Sequence, residues 1–334
     1  MNKYPVNKHS MTLAVCDYDH VRDLVSGAVA AEGLAINFQS FSVQEIFHRF
    51  TTHREWDASE MSMGMYVSLR SQGDDSLIAI PVFTSRVFRH SSFYVLKDGP
   101  IKSPADLRGG KIGYPEWAHT AGMYSRAWLM HEVGIPLEEI EWVQSGVNQG
   151  GRAEHVNLNL PDAVKRTPVS DRSLDEMLLA GEIDSLMSSL APRSFQEGSG
   201  RVVRLVSDFK DIEQQSFRDT GIFPIMHTIA LKRDIVDDNP WIARNLFSAF
   251  EEAKNRSVAR LRDATISRFP YPWAFACAEE MTGMMGSDIW PYGVEANRTT
   301  LEAFLQYCLE QGIAHRPMTV DELFAETVLS GFKV

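Results

Sequence analysis

A short polar segment between two apolar runs holds the residues best suited to bind an anion. Arg86, Arg89 and His90 lie between the strand-like runs 77–83 and 92–96. Burying such side chains is costly without a negative partner, so they are either solvated or facing an anion. The apolar sequence on both sides argues against full solvation. The segment therefore predicts an anion-binding site, and a structural salt bridge to a nearby carboxylate is the alternative.

Two further segments could contribute chemistry. His227 lies within the apolar run 222–231, which predicts a buried or cleft-lining imidazole. Such a histidine is either a satisfied core residue or a tuned acid or base. The strand predicted at 111–115 leads through a loop into a helix near Thr120 and Ala121. A helix N-terminus presents free backbone N–H groups and a partial positive charge, which together suit a carboxylate.

Other polar residues give weaker signals. Asp19 lies in the loop after the first predicted strand, which is a common ligand position in α/β domains, although helix capping explains it equally. Two Glu-x-x-His pairs, beginning at Glu45 and Glu116, have the spacing of a dimetal site. Such a site requires long bundle helices, whereas Glu116 falls in a predicted loop. We therefore predict no metal site.

The elements that must position these residues alternate between short apolar strands and helical patterns. This alternation is typical of α/β architecture with mostly parallel sheet, and the first strand is predicted at 11–16. Asn239 and Pro240 open a long amphipathic helix. No repeat or flexible linker is found, so two domains must be joined by ordered crossings, which we predict near 97–103 and 225–232.

Composition limits the possible partners. The chain has 334 residues, 44% of them apolar, which allows about two domains. A formal charge of −11 without a basic block disfavours nucleic acid and anionic membranes, and no run approaches the ~18 apolar residues of a membrane span. A small-molecule partner is expected. Three scattered cysteines and the lack of an export leader in residues 1–20 predict a cytoplasmic protein.

Several segments resemble the 4,5-dihydroxyphthalate decarboxylase family. They are 81–91, 103–107, 221–227, 290–298, and Pro115–Glu116–Trp117 with Thr120, Ala121 and Arg126. The matches run in order from about residue 12 to residue 330, and those at 81–91 and 221–227 are fairly specific. The resemblance implies a two-lobed, type II periplasmic-binding-protein-like α/β fold with a ligand cleft between the lobes. Residues 1–100 and 230–334 would form a discontinuous first lobe, and residues 101–229 the second.

The resemblance also implies a reaction, the decarboxylation of a hydroxylated aromatic diacid, with 4,5-dihydroxyphthalate going to protocatechuate as the leading case. Each ring hydroxyl of that substrate is para to one carboxylate. Protonating the carbon that bears the leaving group therefore makes a dienone, from which CO2 departs. An organic cofactor is not required. The implied partner is a small aromatic diacid, and a homo-oligomer is possible.

This chemistry asks for cations that hold the remaining carboxylate, and the resemblance suggests which residues supply them. Arg86 and Arg89 are expected to capture it, because a guanidinium group matches a carboxylate in shape and charge. The N–H groups at Thr120 and Ala121 would assist, and Arg126 belongs to the same matched segment. Asp19 completes the predicted substrate-binding set.

The reaction also needs an acid for the ring carbon and an acceptor for the phenol. His90 and His227 are the predicted proton-transfer groups, and Glu116 is the predicted acceptor that polarises a ring hydroxyl. The chain departs from the family pattern at His20 and at His119, where the family usually has other residues. If these positions line the pocket, a related hydroxybenzoate diacid or a nitrogen-containing aromatic acid becomes plausible.

Two other functions use the same architecture. A solute-binding protein of a transport system could employ the same lobes and arginines without an acid or base, although the missing leader argues against it. A ligand-sensing or pyrimidine-precursor protein is a further alternative, and no cysteine-rich signature favours the latter.

Overall fold

The structure is a computed structural model that describes residues 8–329 of the chain. The strands are β1 (His9–Ala14), β2 (Leu34–Gln39), β3 (Ala58–Ser62), β4 (Leu77–Arg86), β5 (Phe93–Leu96), β6 (Lys111–Tyr114), β7 (Glu141–Gln144), β8 (Lys165–Pro168), β9 (Ser185–Met187), β10 (Val202–Arg204) and β11 (Ile225–Lys232). The helices are α1 (Arg22–Val25), α2 (Val43–His53), α3 (Met63–Ser71), α4 (Thr120–Trp128), α5 (Leu174–Leu179), α6 (Arg193–Gln196), α7 (Phe209–Thr220), α8 (Arg233–Asp238), α9 (Trp241–Arg262), α10 (Ala274–Met285) and α11 (Arg298–Glu310). They build two separate sheets with helices around them.

The first sheet has the strand order β2-β1-β3-β11-β4. Strands β2, β1 and β3 run parallel, whereas β11 runs antiparallel to both of its neighbours. Because β11 comes from much later in the chain, its insertion between β3 and β4 ties the C-terminal half to the first strands. The register shifts twice around His227, so the strand is irregular at that residue.

The second sheet has the order β10-β5-β9-β6-β7-β8. Strands β9, β6, β7 and β8 are parallel, and β5 and β10 close one side in antiparallel fashion. Both sheets are therefore mixed, which differs from the mostly parallel sheet that the alternating pattern predicted. The cause is that β11 in the first sheet and β5 in the second run opposite to both of their neighbours, which periodicity along the sequence does not reveal.

The chain passes from the first sheet to the second at residues 87–92 and returns over residues 205–224. Both crossings come earlier than the predicted positions, since β5 already belongs to the second sheet. The lobe boundaries at 100 and 230 stay predictions, and residues 1–7 and 330–334 lie outside the described part. Arg89 and His90 thus lie within a crossing, directly after Arg86 ends β4.

Helices cover the sheets with the faces that their sequences predict. In α2, Ile46, Phe47 and Phe50 are buried, and the Ser42 hydroxyl accepts a hydrogen bond from the Glu45 N–H at 3.4 Å, which caps the helix. The long helix α9 buries Ile242, Leu246 and Phe250. No helix within residues 8–329 has the length and apolar character needed to cross a membrane.

Candidate active site

A cavity of about 250 Å³ lies where elements of the two sheets meet. Helix α2 and strand β11 line it from the first sheet, and the loops after β6, β7 and β9 line it from the second. Because β9, β6 and β7 are parallel, their carboxyl ends meet at one edge, which is the usual ligand position in α/β sheets. The volume exceeds the roughly 150 Å³ that accommodates benzene in an engineered protein cavity.

The cavity combines apolar surface with several ionisable side chains. Its apolar lining residues are Val43, Phe47, Met65, Pro115, Val147 and Leu190. Its charged and imidazole residues are His48, Arg89, Glu116, His119, Arg152, His155 and His227. Apolar surface beside several charged and imidazole groups suits an aromatic ring that carries charged substituents.

His227 is paired with a carboxylate beneath the cavity wall. Its Nδ1 donates to Glu60 Oε1 at 2.7 Å, and Glu60 is completely buried. Because Nδ1 is engaged, Nε2 is the ring nitrogen available to the cavity, and it has no hydrogen-bond partner within residues 8–329. The ring of Phe47 packs edge-on against the imidazole with centroids 4.8 Å apart, which fixes the plane of the imidazole.

Three further groups hold the Glu60 carboxylate in place. The Tyr18 hydroxyl donates to Oε1 at 2.6 Å, the Thr84 hydroxyl donates to Oε1 at 3.0 Å, and the Cys16 N–H donates to Oε2 at 3.0 Å. Burial alone would raise the pKa of Glu60, but the hydrogen bond and charge of His227, with these donors, hold it below its ordinary value. Glu60 is thus an anion that can stabilise a protonated His227.

Arg89 presents its guanidinium group to the cavity. Its Nε donates to Met226 Sδ at 3.3 Å, and it forms no ion pair with any carboxylate in residues 8–329. Burial lowers the pKa of Arg89 to about 10, so the group is still charged at neutral pH. A partly buried cation whose terminal nitrogens lack a protein acceptor is suited to a carboxylate ligand.

Glu116 also lines the cavity, but its carboxylate already has a cationic partner. Oε1 accepts hydrogen bonds from Arg152, and the His155 Nε2 lies 3.8 Å away. Glu116 is only 3% exposed, whereas the Arg152 side chain is 42% exposed. A carboxylate neutralised in this way is a poor acceptor for a phenol, so the predicted role of Glu116 has weak support in the geometry.

Arg86 does not line the cavity. Its Nη1 donates to Asn297 Oδ1 at 2.7 Å and to the Pro291 carbonyl at 3.0 Å, and its Nη2 donates to the Phe223 carbonyl at 2.7 Å. The guanidinium also lies over the Phe223 ring, with its central carbon 4.2 Å from the centroid. These contacts join the end of β4 to the segment 290–297. Arg86 therefore has a structural role here, and it is not placed to capture the substrate as the sequence predicted.

His90 is separated from the main cavity. Its ring packs against Trp128 with centroids 5.0 Å apart, and its Nδ1 lies 3.7 Å from Glu213 Oε1. The small cavity beside it measures about 30 Å³, far below the roughly 150 Å³ of an engineered cavity that binds benzene. The structure therefore does not bring His90 together with His227, although both were predicted to transfer protons.

The remaining predicted binding residues also lie away from the cavity lining. The Thr120 hydroxyl bonds with Ser62 Oγ at 2.9 Å and accepts from the Gly64 N–H at 3.0 Å, which joins the start of α4 to the end of β3. Ala121 is buried in the first turn of α4, the turn that was predicted to present its N–H groups. The predicted helix start at Thr120 is confirmed, but its function here is packing between elements.

Arg126 and Asp19 lie in opposite environments, and neither lines the cavity. Arg126 is fully buried, donates from Nε to Gln311 Oε1 at 2.8 Å, and lies over the Trp117 ring. Asp19 is exposed and pairs with Arg22 three residues later. Arg126 is thus part of the core, and Asp19 belongs to a surface ion pair beside α1.

The sequence analysis missed Glu60, Arg152 and His155. The signal for Glu60 is a single acidic residue within the short segment 58–62, all of which is buried as β3. Arg152 and His155 come from the irregular stretch after β7, where no periodicity ranks one polar residue above another. Within the described range, no three His, Cys, Asp or Glu side chains are grouped so as to hold a metal ion.

The two sheets and the cavity where they meet define a class of protein, the type II periplasmic-binding-protein-like fold. The chain is similar to the periplasmic aliphatic sulphonate binding protein SsuA from Escherichia coli, with a TM-score of 0.54 and 12% identity over 96% of this chain and 98% of that one. At this identity the likeness shows the fold alone, and it confirms the predicted fold class.

Sequence comparison is more specific. No family model matches the chain. A protein named 4,5-dihydroxyphthalate decarboxylase from Comamonas testosteroni is 33% identical over 330 residues, which are 98% of this chain and 100% of the relative. A protein of the same name from Pseudomonas putida is 36% identical over 204 residues, 61% of this chain and 79% of the relative. The chain belongs to the 4,5-dihydroxyphthalate decarboxylase family, as the resemblance implied.

Proposed function

We propose that the protein is a carboxy-lyase that converts a hydroxylated aromatic dicarboxylate, in the first instance 4,5-dihydroxyphthalate, into protocatechuate and CO2. The observation that carries the proposal is the buried Glu60–His227 pair at the wall of a cavity that also holds the guanidinium of Arg89, which has no carboxylate partner among residues 8–329. An acid beside a carboxylate anchor, among apolar walls, is the set of groups that the reaction requires.

Binding starts with the carboxylate that stays on the ring. Arg89 pairs with it, because its terminal nitrogens have no acceptor in the described protein and its charge has no carboxylate partner there. Apolar residues such as Phe47 and Val147 cover the ring faces. This arrangement leaves the departing carboxylate and the ring carbon that bears it near the imidazole of His227.

The chemical step is a proton transfer to that ring carbon. Protonated His227 delivers the proton from Nε2, and the Glu60 carboxylate stabilises the imidazolium beforehand through Nδ1. The new C–H bond breaks aromaticity, and the electrons of the para hydroxyl complete a dienone. When the C–C bond to the carboxylate breaks, its electron pair restores the aromatic ring and CO2 leaves. The ring itself therefore receives the electrons.

A solute-binding protein is the second candidate, because the fold occurs in such proteins. Binding a diacid requires the Arg89 guanidinium and apolar walls, but it does not require a buried carboxylate behind an imidazole. Glu60 therefore favours the enzyme, since a buried carboxylate on Nδ1 is the arrangement that orients an acid–base imidazole.

Incubation with 4,5-dihydroxyphthalate tests the proposal. Liquid chromatography should detect protocatechuate, and trapped CO2 should match it mole for mole. Saturable binding of 4,5-dihydroxyphthalate and related aromatic diacids without any product would overturn the enzyme proposal in favour of the binding protein.

A further inference from the structure

A second imidazole, that of His119, lines the same cavity as His227. His119 directly precedes α4, and its backbone carbonyl accepts the Met123 N–H at 3.1 Å, which fixes the residue at the start of the helix. Its ring nitrogens form no hydrogen bond or ion pair with any of residues 8–329. The reaction proposed for this site does not use it.

Groups on four elements exert a positive electrostatic influence on this imidazole. Arg89 comes from the crossing after β4, His227 from β11, Arg152 from the loop after β7, and Arg126 from α4 itself. Glu116, on the same loop as His119, is the nearby carboxylate of the cavity, and Arg152 already pairs with it. Burial lowers the pKa of His119 to about 3, and these positive charges act in the same direction.

His119 and His227 therefore differ in their partners. His227 has a buried carboxylate on Nδ1, whereas His119 has no carboxylate partner among the described residues, and its lowered pKa leaves it neutral at neutral pH. A neutral imidazole offers one ring nitrogen as a hydrogen-bond acceptor, which an imidazolium lacks.

We propose that His119 accepts the hydrogen bond of the ring hydroxyl para to the departing carboxylate and so selects hydroxylated aromatic diacids. This assignment rests on the proposed function and replaces Glu116, whose carboxylate is engaged by Arg152. A neutral acceptor at this place favours a phenol over a bare ring, because the acceptor nitrogen would otherwise be covered by the ligand without a partner.

The proton balance of the reaction is complete with this assignment. The proton on His227 Nε2 goes to the ring carbon while the phenolic proton goes to the free nitrogen of His119, and the phenolic oxygen becomes the dienone carbonyl. Loss of CO2 returns the electron pair of the broken C–C bond to the ring and leaves a phenolate. His119 then returns its proton to that oxygen, and His227 regains one from solvent.

The test measures the affinity for aromatic diacids in a variant that does not turn them over. In the His227→Gln background, isothermal titration calorimetry compares phthalate with 4,5-dihydroxyphthalate, and the comparison is repeated with His119→Ala and His119→Asn added. With His119 present, we expect the dihydroxylated diacid to bind about 3- to 10-fold more tightly than phthalate, the effect of one neutral hydrogen bond. His119→Ala should remove that advantage, and His119→Asn should restore part of it through its amide oxygen.

His131→Ala is the matched control for the loss of an imidazole. His131→Ala removes an imidazole that pairs with Glu310 outside the cavity, and it should leave both affinities unchanged. If His119→Ala weakens phthalate and the dihydroxylated diacid equally, His119 only shapes the cavity and the proposal is overturned. If the hydroxyl advantage is lost as expected but the wild-type protein yields no protocatechuate, His119 keeps its assignment and the decarboxylase function fails. Absence of binding by either diacid overturns both.

Discussion

Arg86 and Arg89 are three residues apart, yet their guanidinium groups lie in different environments. The terminal nitrogens of Arg86 donate to two main-chain carbonyls and to Asn297. Arg89 instead donates from Nε to Met226, and its terminal nitrogens face the cavity. The comparison shows what makes a buried arginine available to a ligand. An arginine is available to a ligand when its terminal nitrogens have no acceptor in the described protein. Burial or residue type alone does not make it available.

The same contrast separates the two histidines that were predicted to transfer protons. His227 has a carboxylate at 2.7 Å and a ring nitrogen at the cavity, whereas His90 is packed against Trp128 beside a cavity too small for a substrate. A useful acid needs both a group that stabilises its charged form and access to the reacting atom. His227 has both a carboxylate partner and access to the cavity. His90 has only a more distant carboxylate and no access to a cavity large enough for a substrate.

The largest effect is expected for His227→Gln. The amide still bonds with Glu60 but cannot deliver a proton, so kcat should fall about 10²- to 10⁴-fold while KM changes little. Steady-state kinetics on 4,5-dihydroxyphthalate measures this effect. His90→Gln is the matched change in the other region, and a loss as large as that of His227→Gln would end the distinction between the two histidines.

Arg89→Met should lower kcat/KM about 100-fold, mainly through KM, because the remaining carboxylate loses its charged partner. The free energy of unfolding should stay the same or rise, since the substitution removes a partly buried charge that pairs with no carboxylate in the described part of the chain. Kinetics and urea denaturation provide the two values. Unchanged kinetics would remove Arg89 from the binding site.

Arg86→Met should show the opposite pattern. Removing its donors leaves the Phe223 and Pro291 carbonyls without their partner, so the free energy of unfolding should fall by about 2–4 kcal/mol. The folded fraction should keep its kcat and KM within about threefold. If Arg86→Met instead raises KM as strongly as Arg89→Met does, Arg86 contacts the substrate.

Glu60→Gln tests the pairing beneath the cavity through pH. The pKa of Glu60 is held below its ordinary 4.5 in the folded protein, so its carboxylate contributes stability above pH 4.5 that is lost as the pH falls through the folded value. We expect the variant to lose less stability than the wild type on acidification below pH 4.5. Urea denaturation at pH 7 and pH 4 gives the comparison, and parallel losses would contradict it.

The smallest effect is expected for Asp19→Asn. Asp19 is 52% exposed and pairs with the exposed Arg22, and such surface pairs contribute about 0–1 kcal/mol. Its kcat/KM should stay within twofold of the wild type. A tenfold loss would return Asp19 to the substrate-binding set that the sequence predicted.

Much of the fold follows from local patterns in the sequence. The alternation of strands and helices, the cap at Ser42 and the amphipathic stripe of α9 depend on neighbours within a few residues, so periodicity and capping rules predict them. The mixed pairing of the sheets does not follow, because β11 reaches β3 and β4 from about 140 or more residues away in the chain.

The candidate site is divided in the same way. The sequence by itself determined that Arg89, His227 and Glu116 are chemically suited to a diacid, since side-chain chemistry and family motifs are local properties. Only the tertiary structure decided that Glu60 bonds to Nδ1 of His227 and that Arg152 pairs with Glu116. It also decided that Arg86 bonds to main-chain carbonyls. The physical reason is that protonation and availability to a ligand depend on which distant groups share the same small volume.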